Sequence, residues 1–187
     1  IKVESLGGDT TRKIGPMRHP DMGNVFLNLN RNKRSIAIDL KNPEGHAAFL
    51  SLVETADVLV SNIRPKAMAR LGLTYDALSD VNPRLVVAGL VGFSQNGPYA
   101  AQPVYEDLIQ GLTAIPSMLV SAGAEEPIYV PMAFNDRAVG LYAASAILAT
   151  LLRRERTGRG CELEIPMFET MVHGTMLEHM GLSLIHI

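Results

Sequence analysis

Cysteine is nearly absent from this sequence of 187 residues, in which Cys161 is the single thiol. A disulfide framework needs paired cysteines, and a cysteine-based structural zinc site needs several in one chain, so both are excluded. Cys161 follows Gly158-Arg159-Gly160 with no evident base nearby in the sequence, so we interpret it as a small apolar residue entering a strand. A single thiol is typical of a reducing compartment, and we expect a cytoplasmic protein.

Long hydrophobic runs and a strong net charge are absent as well. The predicted helical stretch Ala138–Leu152 has 15 residues without a charged one, whereas a membrane-spanning helix needs about 20. We interpret it as a buried helix and expect no association with a membrane. The formal net charge is −2, which gives no general attraction to nucleic acid. With 47% hydrophobic and 19% charged residues, the chain has the material for a core and is not intrinsically disordered.

Several signatures of common enzyme classes are missing too. No Gly-x-Gly-x-x-Gly follows a predicted strand, so the usual dinucleotide-binding fingerprint is absent. The sequence also has neither a Walker-type phosphate loop nor the Gly-x-Ser-x-Gly elbow of serine hydrolases. His173 and His179 lie six positions apart, whereas two ligands on one helix face are three or four apart. We therefore predict no metal site.

The two ends of the chain carry neither start nor stop signals. The chain opens on Ile1-Lys2-Val3-Glu4, which reads as the end of a buried strand, with no initiator methionine or signal peptide before it. Its last residues show no helix cap. We therefore expect residues 1–181 to be part of one larger domain, truncated at both ends, and residues 182–187 to be a non-native tail.

Charged residues are distributed unevenly along the chain. Residues 12–41 contain seven Lys or Arg and two acidic residues, whereas residues 101–136 contain five acidic residues and no Lys or Arg. Because clustered basic side chains favour an anionic ligand, the first segment is a candidate binding surface. The alternative is that both segments are ordinary solvated faces, where most charge lies.

Short apolar runs alternate with helical patterns along the chain. Asn42-Pro43-Glu44 begins a helix, because Asn caps it, Pro suits the first helical position and Glu suits the first turn. Further predicted helices cover residues 66–70, 75–81, 105–112, 136–154 and 167–180, and predicted strands cover residues 35–39, 57–61, 85–91 and 162–165. This alternation predicts an α/β fold with a Rossmann-like parallel sheet and flanking helices.

Four short stretches carry the most specific signal. They are NRNKRSIAIDLKNPEG (30–45); ADVLVSNIRP (56–65) with RLGL (70–73); NPRL (82–85) with GF (92–93) and GPY (97–99); and NDRAVG (135–140) with RTGRG (156–160). In this order and spacing they resemble the class III CoA-transferases, the family of formyl-CoA and carnitine CoA-transferases, whose fold also serves α-methylacyl-CoA racemases. The resemblance runs from Lys2 to about Thr170. It implies the large domain of a homodimer built from two interlocked rings.

The resemblance also implies where CoA would bind. CoA carries phosphates, which basic side chains and helix N-termini at strand ends bind well. The positions that resemble the family's CoA contacts are Ile38, Asp39, Leu40, Lys41, Asn62, Ile63, Arg64, Arg70, Tyr105 and Glu106. The family often has Arg where this chain has Ser5, and Lys where it has Pro103. A CoA thioester would be the substrate, with no permanently bound cofactor and a free carboxylic acid as the second substrate.

The candidate nucleophile is Asp136, which stands just before the Ala-rich stretch 138–152. An Asp at this place often serves only as an N-cap. A nucleophilic carboxylate must be ionised, and the positive helix N-terminus favours its charged form. The resemblance implies that Asp136 attacks the acyl-CoA carbonyl to give a mixed anhydride. The released thiolate then forms an enzyme–CoA thioester, from which the acceptor carboxylate collects the CoA. The two roles are compatible.

Two other functions stay open at this point. Racemases of the same fold carry a His–Asp pair, and this chain has Tyr105 where their histidine stands. A tyrosine hydroxyl is a poor base at neutral pH, and the Tyr-x4-Gln pattern of Tyr105 and Gln110 resembles the transferases, so transfer is favoured. The second alternative is a CoA-binding protein without catalysis, which would have no need of Asp136.

Overall fold

The computed structural model describes residues 1–180 of the chain, and these form two compact units. The first unit is Ile1–Thr55 and the second begins at Ala56. This division was not predicted from the sequence, and the tail expected at residues 182–187 lies outside the described residues. Within residues 1–180, no helix combines the length and the apolar character needed to cross a bilayer.

The first unit is built on a two-stranded parallel sheet of β1 and β2. Its elements in chain order are β1 (Lys2–Glu4), a 3-10 helix (Thr10–Lys13), α1 (Asn24–Leu29), β2 (Ser35–Ala37) and α2 (Pro43–Val53). The predicted start of α2 is confirmed, since the Asn42 side chain accepts a hydrogen bond of 2.8 Å from the Glu44 backbone N–H.

A buried carboxylate joins β1 to the segment that follows it. Both Glu4 carboxylate oxygens accept hydrogen bonds of 2.8 Å from the Arg12 guanidinium, and one of them accepts a further bond of 2.9 Å from the Asp9 backbone N–H. The Ser35 hydroxyl donates to Glu4 from β2. These donors, with Arg12 first, lower the pKa of Glu4 to about 2. Arg12 also stacks over Phe26 of α1, 3.9 Å from the ring centroid.

The second unit contains a three-stranded parallel sheet in the order β3-β4-β5. Its elements in chain order are β3 (Val58–Ser61), α3 (Pro65–Arg70), α4 (Tyr75–Val81), β4 (Val86–Val91), α5 (Glu106–Leu112), α6 (Ile115–Ser121), α7 (Phe134–Thr157), β5 (Cys161–Pro166) and α8 (Met167–Met180). In the register, Val86 of β4 lies opposite Val58 and Cys161, and Gly89 lies opposite Ser61 and Glu164, so residue numbers rise in the same direction along all three strands. The strands are therefore parallel, as the alternation of elements predicted.

The core of the second unit is formed by β4, β5 and the helices that follow β4. Its buried side chains are Ala88, Ile109, Ile115, Val139, Ala143, Ile165 and Met171. Because Val139 and Ala143 lie four positions apart, one side of α7 faces this core. Leu141, Leu148 and Leu152 on another side are exposed. The interpretation of this stretch as a buried helix therefore holds for one side of α7 and not for the other.

The direction of α7 is set by Arg154, near its C-terminal end. The Arg154 guanidinium pairs with the Asp57 carboxylate at 3.0 Å and donates to the backbone carbonyls of Asp57 (3.3 Å) and Arg84 (3.5 Å). Both residues stand just before β3 and β4, so the C-terminal end of α7 lies at the amino edge of the sheet. Val139 and Ala143, nearer the start of α7, pack with Ala88 of β4 and Ile165 of β5. The helix therefore runs along the sheet, and with about 1.5 Å of rise per residue its N-terminus reaches the carboxyl edge.

Several predicted boundaries hold and others shift. The start of α8 and both bounds of α4 are confirmed, and Thr74 caps α4 by accepting from the Ala77 N–H at 3.4 Å. Helix α7 begins at Phe134 rather than at Asp136. Helices α1 and α6 were not predicted. Helix α6 follows Ala114 in the left-handed region (φ 56°), and no side chain caps it, so the usual start signals are missing.

Candidate functional site

The N-terminus of α7 lacks a cap from its own sequence. Its N-cap residue is Ala133, whose side chain has no acceptor, and Asp136 is the third residue of the helix. The acceptors come instead from Glu106, the first residue of α5. One Glu106 oxygen accepts from the Asn135 N–H at 3.1 Å and the other from the Asp136 N–H at 2.9 Å. The interpretation of Asp136 as the N-cap is therefore wrong, because a carboxylate 30 residues earlier does the capping.

A buried network holds Glu106 in this position. The Gln110 side chain, one turn further along α5, donates to Glu106 Oε1 at 2.9 Å. Gln110 is 2% exposed and also pairs with the backbone of Val130, accepting from its N–H at 2.8 Å and donating to its carbonyl at 3.3 Å. The fully buried Asn135 donates from its side chain to the Glu106 carbonyl at 3.2 Å. Helices α5 and α7 are thus joined at their first turns.

The Asp136 carboxylate differs from that of Glu106 in its surroundings. Within the described residues it accepts no hydrogen bond, and the Asp136 side chain is exposed. Nearby protein still removes water from it, and this burial, with the negative charge of Glu106 as the second cause, raises the pKa of Asp136. The net direction is thus opposite to the one expected from the helix N-terminus alone, because burial and the charge of Glu106 both favour the neutral acid.

Tyr105 stands beside this pair at the N-cap position of α5. It is 79% exposed, and its backbone carbonyl accepts from the Ile109 N–H at 3.2 Å. Of the two positions taken from the resemblance here, Glu106 contacts α7 directly, whereas Tyr105 presents its side chain to solvent.

The first group of predicted CoA contacts lies in the first unit, between β2 and α2. Ile38 is buried, and Leu40 is half-buried. Asp39 accepts from the Lys41 backbone N–H at 3.0 Å, which forms a tight turn that leaves the Lys41 side chain exposed beside the α2 N-terminus. A Cβ on Gly45 would overlap the Asp39 carbonyl, so this turn packs directly against the helix.

The second group lies in the second unit, at the carboxyl end of β3. The Ile63 N–H donates to the Ser61 hydroxyl at 3.1 Å, and Arg64 is the N-cap residue of α3. Asn62, Ile63, Arg64 and Arg70 are all exposed. A cavity of about 430 Å³ adjoins them and is lined by Ser61, Ile63, Lys66, Val87, Gly89 and Glu162, among others.

The topology of the second unit brings two of these groups to one edge. The carboxyl end of β3, with Asn62 to Arg64, and the N-terminus of α7, with Asp136, both lie at the carboxyl edge of the parallel sheet. In open α/β sheets this edge is the usual place for a ligand. Among residues 1–180, no cluster of three or more His, Cys, Asp or Glu side chains is arranged to hold a metal ion.

Sequence reasoning missed the carboxylates that order the loop after β4. Glu164 of β5 accepts from the Ser94 hydroxyl at 2.9 Å and from the Gln95 N–H at 3.1 Å. Glu169 of α8 accepts from the Ser94 N–H at 3.0 Å. The Gly92-Phe93 motif had marked this loop, but the acceptors stand about 70 residues later and carry no local signal.

Comparison with known proteins decides the family. A family model described as CoA-transferase family III matches residues 1–183. The chain belongs to CoA-transferase family III. The resemblance predicted from the four stretches is thereby confirmed, and with it the α/β fold of that family.

Individual relatives of family III agree with this assignment. The chain is 38% identical over 173 residues to an acetyl-CoA:oxalate CoA-transferase from Acetobacter aceti, and 37% identical over 176 residues to a succinate–glutarate CoA-transferase from Agrobacterium fabrum. Each alignment covers 90% of this chain, and 43% and 44% of the respective relative. The crystal structure of a CAIB/BAIF family protein from Brucella suis superposes with a TM-score of 0.88 at 33% identity, covering 98% of this chain and 49% of that one. The chain thus spans less than half the length of these relatives.

Proposed function

We propose that the protein moves CoA from an acyl-CoA thioester to a free carboxylic acid, with Asp136 as the nucleophile. The observation that carries this proposal is an exposed carboxylate without hydrogen-bond donors, at the carboxyl edge of the sheet, in a chain of CoA-transferase family III. Family membership supports CoA transfer in general, and the role of Asp136 is our inference from the site.

The proposed reaction has four balanced steps. The Asp136 carboxylate attacks the thioester carbonyl, the C–S bond breaks, and CoA leaves as a thiolate. The thiolate then attacks the Asp136 carbonyl of the mixed anhydride, which releases the donor acid and leaves an aspartyl–CoA thioester. The acceptor carboxylate attacks this thioester and expels the thiolate again. Finally, the thiolate attacks the acceptor acyl carbon, giving the new acyl-CoA and restoring Asp136.

The surroundings of Asp136 support an approach by a thioester. A Cβ on Gly140, one turn further along α7, would meet nothing within 4 Å, so the helix surface is open there. Arg64, Lys66 and Arg70 supply positive charge around the carboxyl end of β3, where the phosphates of CoA would be attracted.

The names of the relatives suggest which substrates to try. Those cited above act, by name, on acetyl-CoA with oxalate and on succinate with glutarate. We therefore propose that the donor is the CoA thioester of a small carboxylic acid and that the acceptor is another small carboxylic acid. A cytoplasmic homodimer, with no permanently bound cofactor and no nucleic-acid or membrane partner, completes the proposal.

The test is a transfer assay on the protein as its gene encodes it. Acetyl-, formyl- and succinyl-CoA are incubated with isotopically labelled oxalate, succinate and glutarate, and label entering CoA thioesters is measured. Asp136→Asn should lower the rate by about a thousandfold or more. Asp107→Asn, which changes an exposed carboxylate in the first turn of α5, should stay within about twofold of wild type.

Two outcomes would contradict the proposal. Transfer by Asp136→Asn at the wild-type rate would remove Asp136 from the mechanism. Exchange of the α-proton of a 2-methylacyl-CoA with solvent deuterium, without transfer to any acid, would instead indicate a racemase.

A further inference from the structure

We propose that Glu106 is a positioning residue, which caps α7 in place of Asp136 and so leaves the Asp136 carboxylate free to attack. This inference rests on the proposed function of Asp136. It assigns Glu106, whose position in the family resemblance suggested contact with CoA, to the adjoining helix instead.

The first step of the argument is the need for a cap. The first amides of a helix have no partner within the helix, and a side-chain acceptor near them is drawn into bonding them. Ala133 offers no acceptor, so the nearest carboxylate in the sequence is that of Asp136, at a position from which an acidic side chain can reach back to the helix start. The Glu106 carboxylate instead bonds the amides of Asn135 and Asp136, at 3.1 and 2.9 Å.

The second step is the rigidity of Glu106. Its Oε1 receives the Gln110 side chain at 2.9 Å, and Gln110 is itself held at both ends by the Val130 backbone. The Glu106 carbonyl receives the Asn135 side chain at 3.2 Å. Gln110 and Asn135 are both buried, so Glu106 is held from α5, from α7 and from the segment before α7. Because Glu106 is held in this way, the start of α7 is fixed too, and with it the reacting group, Asp136, within the small tolerance that catalysis requires.

The third step concerns the reactivity of Asp136. A carboxylate that accepts hydrogen bonds from a helix N-terminus is stabilised as an anion and is a weaker base and nucleophile. Burial and the negative charge of Glu106 raise the pKa of Asp136, which is the opposite of capping. The capping carboxylate thus keeps the attacking carboxylate more basic.

Several other titratable groups lie on the elements packed against α7. The titratable side chains on the elements packed against α7 are Glu106 and Asp107 of α5, Cys161, Glu162 and Glu164 of β5, and Glu169, His173, Glu178 and His179 of α8. Within the described chain, Glu106 is the one whose charge acts on Asp136. The neighbouring Arg137 contacts the Met132 sulfur at 3.8 Å.

The experiment compares Glu106→Gln with Asp107→Asn in the protein as its gene encodes it. Each variant removes one negative charge from the first turn of α5. Within the part of the chain that the structure describes, the Asp107 side chain accepts a hydrogen bond only from the N–H of its neighbour Leu108, at 3.0 Å. For Glu106→Gln we expect kcat to fall about tenfold or more. The acid limb of its pH–rate profile should move to lower pH, because the pKa of Asp136 falls when the nearby charge is removed. Asp107→Asn should keep the wild-type kcat and acid limb.

The outcomes separate this inference from the proposed function. Wild-type kcat and an unmoved acid limb in a folded Glu106→Gln would overturn the role of Glu106 while leaving Asp136→Asn inactive. Transfer by Asp136→Asn would overturn the proposed function and, with it, the role of Glu106. If circular dichroism shows that Glu106→Gln does not fold, Glu106→Asp takes its place. Its shorter side chain keeps the charge but reaches the amides poorly, so a lower kcat with the wild-type acid limb supports the inference, and a wild-type kcat contradicts it.

Discussion

At the residue scale, two carboxylates at the start of α7 have opposite environments. Both Glu106 carboxylate oxygens accept hydrogen bonds, whereas the Asp136 carboxylate accepts none within the described chain and lies beside the charge of Glu106. Two carboxylates with such different hydrogen bonding are typical of a site where one supports and the other reacts.

This arrangement predicts that the ionised Asp136 side chain lowers the stability of the folded protein. A carboxyl whose pKa is raised on folding binds its proton more tightly in the folded state, so its ionisation at neutral pH destabilises the fold. Asp136→Asn should therefore raise Tm at pH 7 by about 1–2 °C. The difference from wild type should shrink as the pH falls below the ordinary carboxyl range. Thermal melts at several pH values check this, and a lower Tm for Asp136→Asn at pH 7 would contradict it.

Glu4 predicts the opposite pH dependence in the first unit. Its pKa is lowered from 4.5 to about 2, chiefly by the Arg12 guanidinium, so its ionised form stabilises the folded state. This stabilisation is present above pH 4.5 and is lost as the pH falls towards 2. Glu4→Gln should lower Tm by a few degrees at pH 7, and the gap should close on acidification. The exposed Glu126→Gln serves as a control, and a gap that is independent of pH would contradict the role of the charge.

At the scale of elements, α7 connects the two edges of the three-stranded sheet. Its first turn is bonded to α5 at the carboxyl edge, and Arg154 bonds the segments before β3 and β4 at the amino edge. Because the helix is anchored at both ends, the position of Asp136 depends on contacts at the far end of α7 as well.

Arg154 is predicted to be the main anchor at that far end. Arg154→Met should lower the free energy of unfolding by about 2–4 kcal/mol, because the backbone carbonyls and the Asp57 carboxylate lose a shared donor. The adjacent and exposed Arg153→Met should change it by less than about 0.5 kcal/mol. Denaturant unfolding of both variants is the measurement, and equal effects would contradict the anchoring role.

Prediction from sequence succeeded where the signals are local. The Asn42 and Thr74 caps follow from residues within a turn of each other, and the structure confirms them. The start of α7 was misplaced because its acceptor, Glu106, is brought to it by tertiary packing. Burial and the charge of Glu106 raise the pKa of Asp136, and no local pattern signals either cause.

At the scale of the whole molecule, the predicted CoA contacts occur in both units. Lys41 lies in the first unit beside the N-terminus of α2, and Arg70 lies in the second, in the last turn of α3. Both side chains are exposed, as binding to phosphates requires. Their roles remain predictions from the family resemblance.

Calorimetric titration with CoA checks these two positions. Lys41→Ala and Arg70→Ala should each weaken binding by about three- to tenfold at low salt, because one charge contact to a phosphate is lost. The difference in CoA affinity between each variant and the wild type should shrink at high salt, since screening weakens the same contact in the wild type. Arg153→Ala, a change in an exposed basic residue outside both the basic segment and the predicted contacts, is the control. Unchanged affinity in both test variants would place the CoA phosphates elsewhere.

The central claim is that Asp136 becomes covalently linked during transfer, and trapping with hydroxylamine tests it most directly. Hydroxylamine attacks the carbonyl of an aspartyl anhydride or thioester and leaves a hydroxamate on that side chain. The protein is incubated with a donor that it turns over, treated with hydroxylamine, digested and analysed by mass spectrometry. We predict a hydroxamate on Asp136 that requires the acyl-CoA donor. An unmodified Asp136 under turnover, or a hydroxamate on another carboxylate, would contradict the claim.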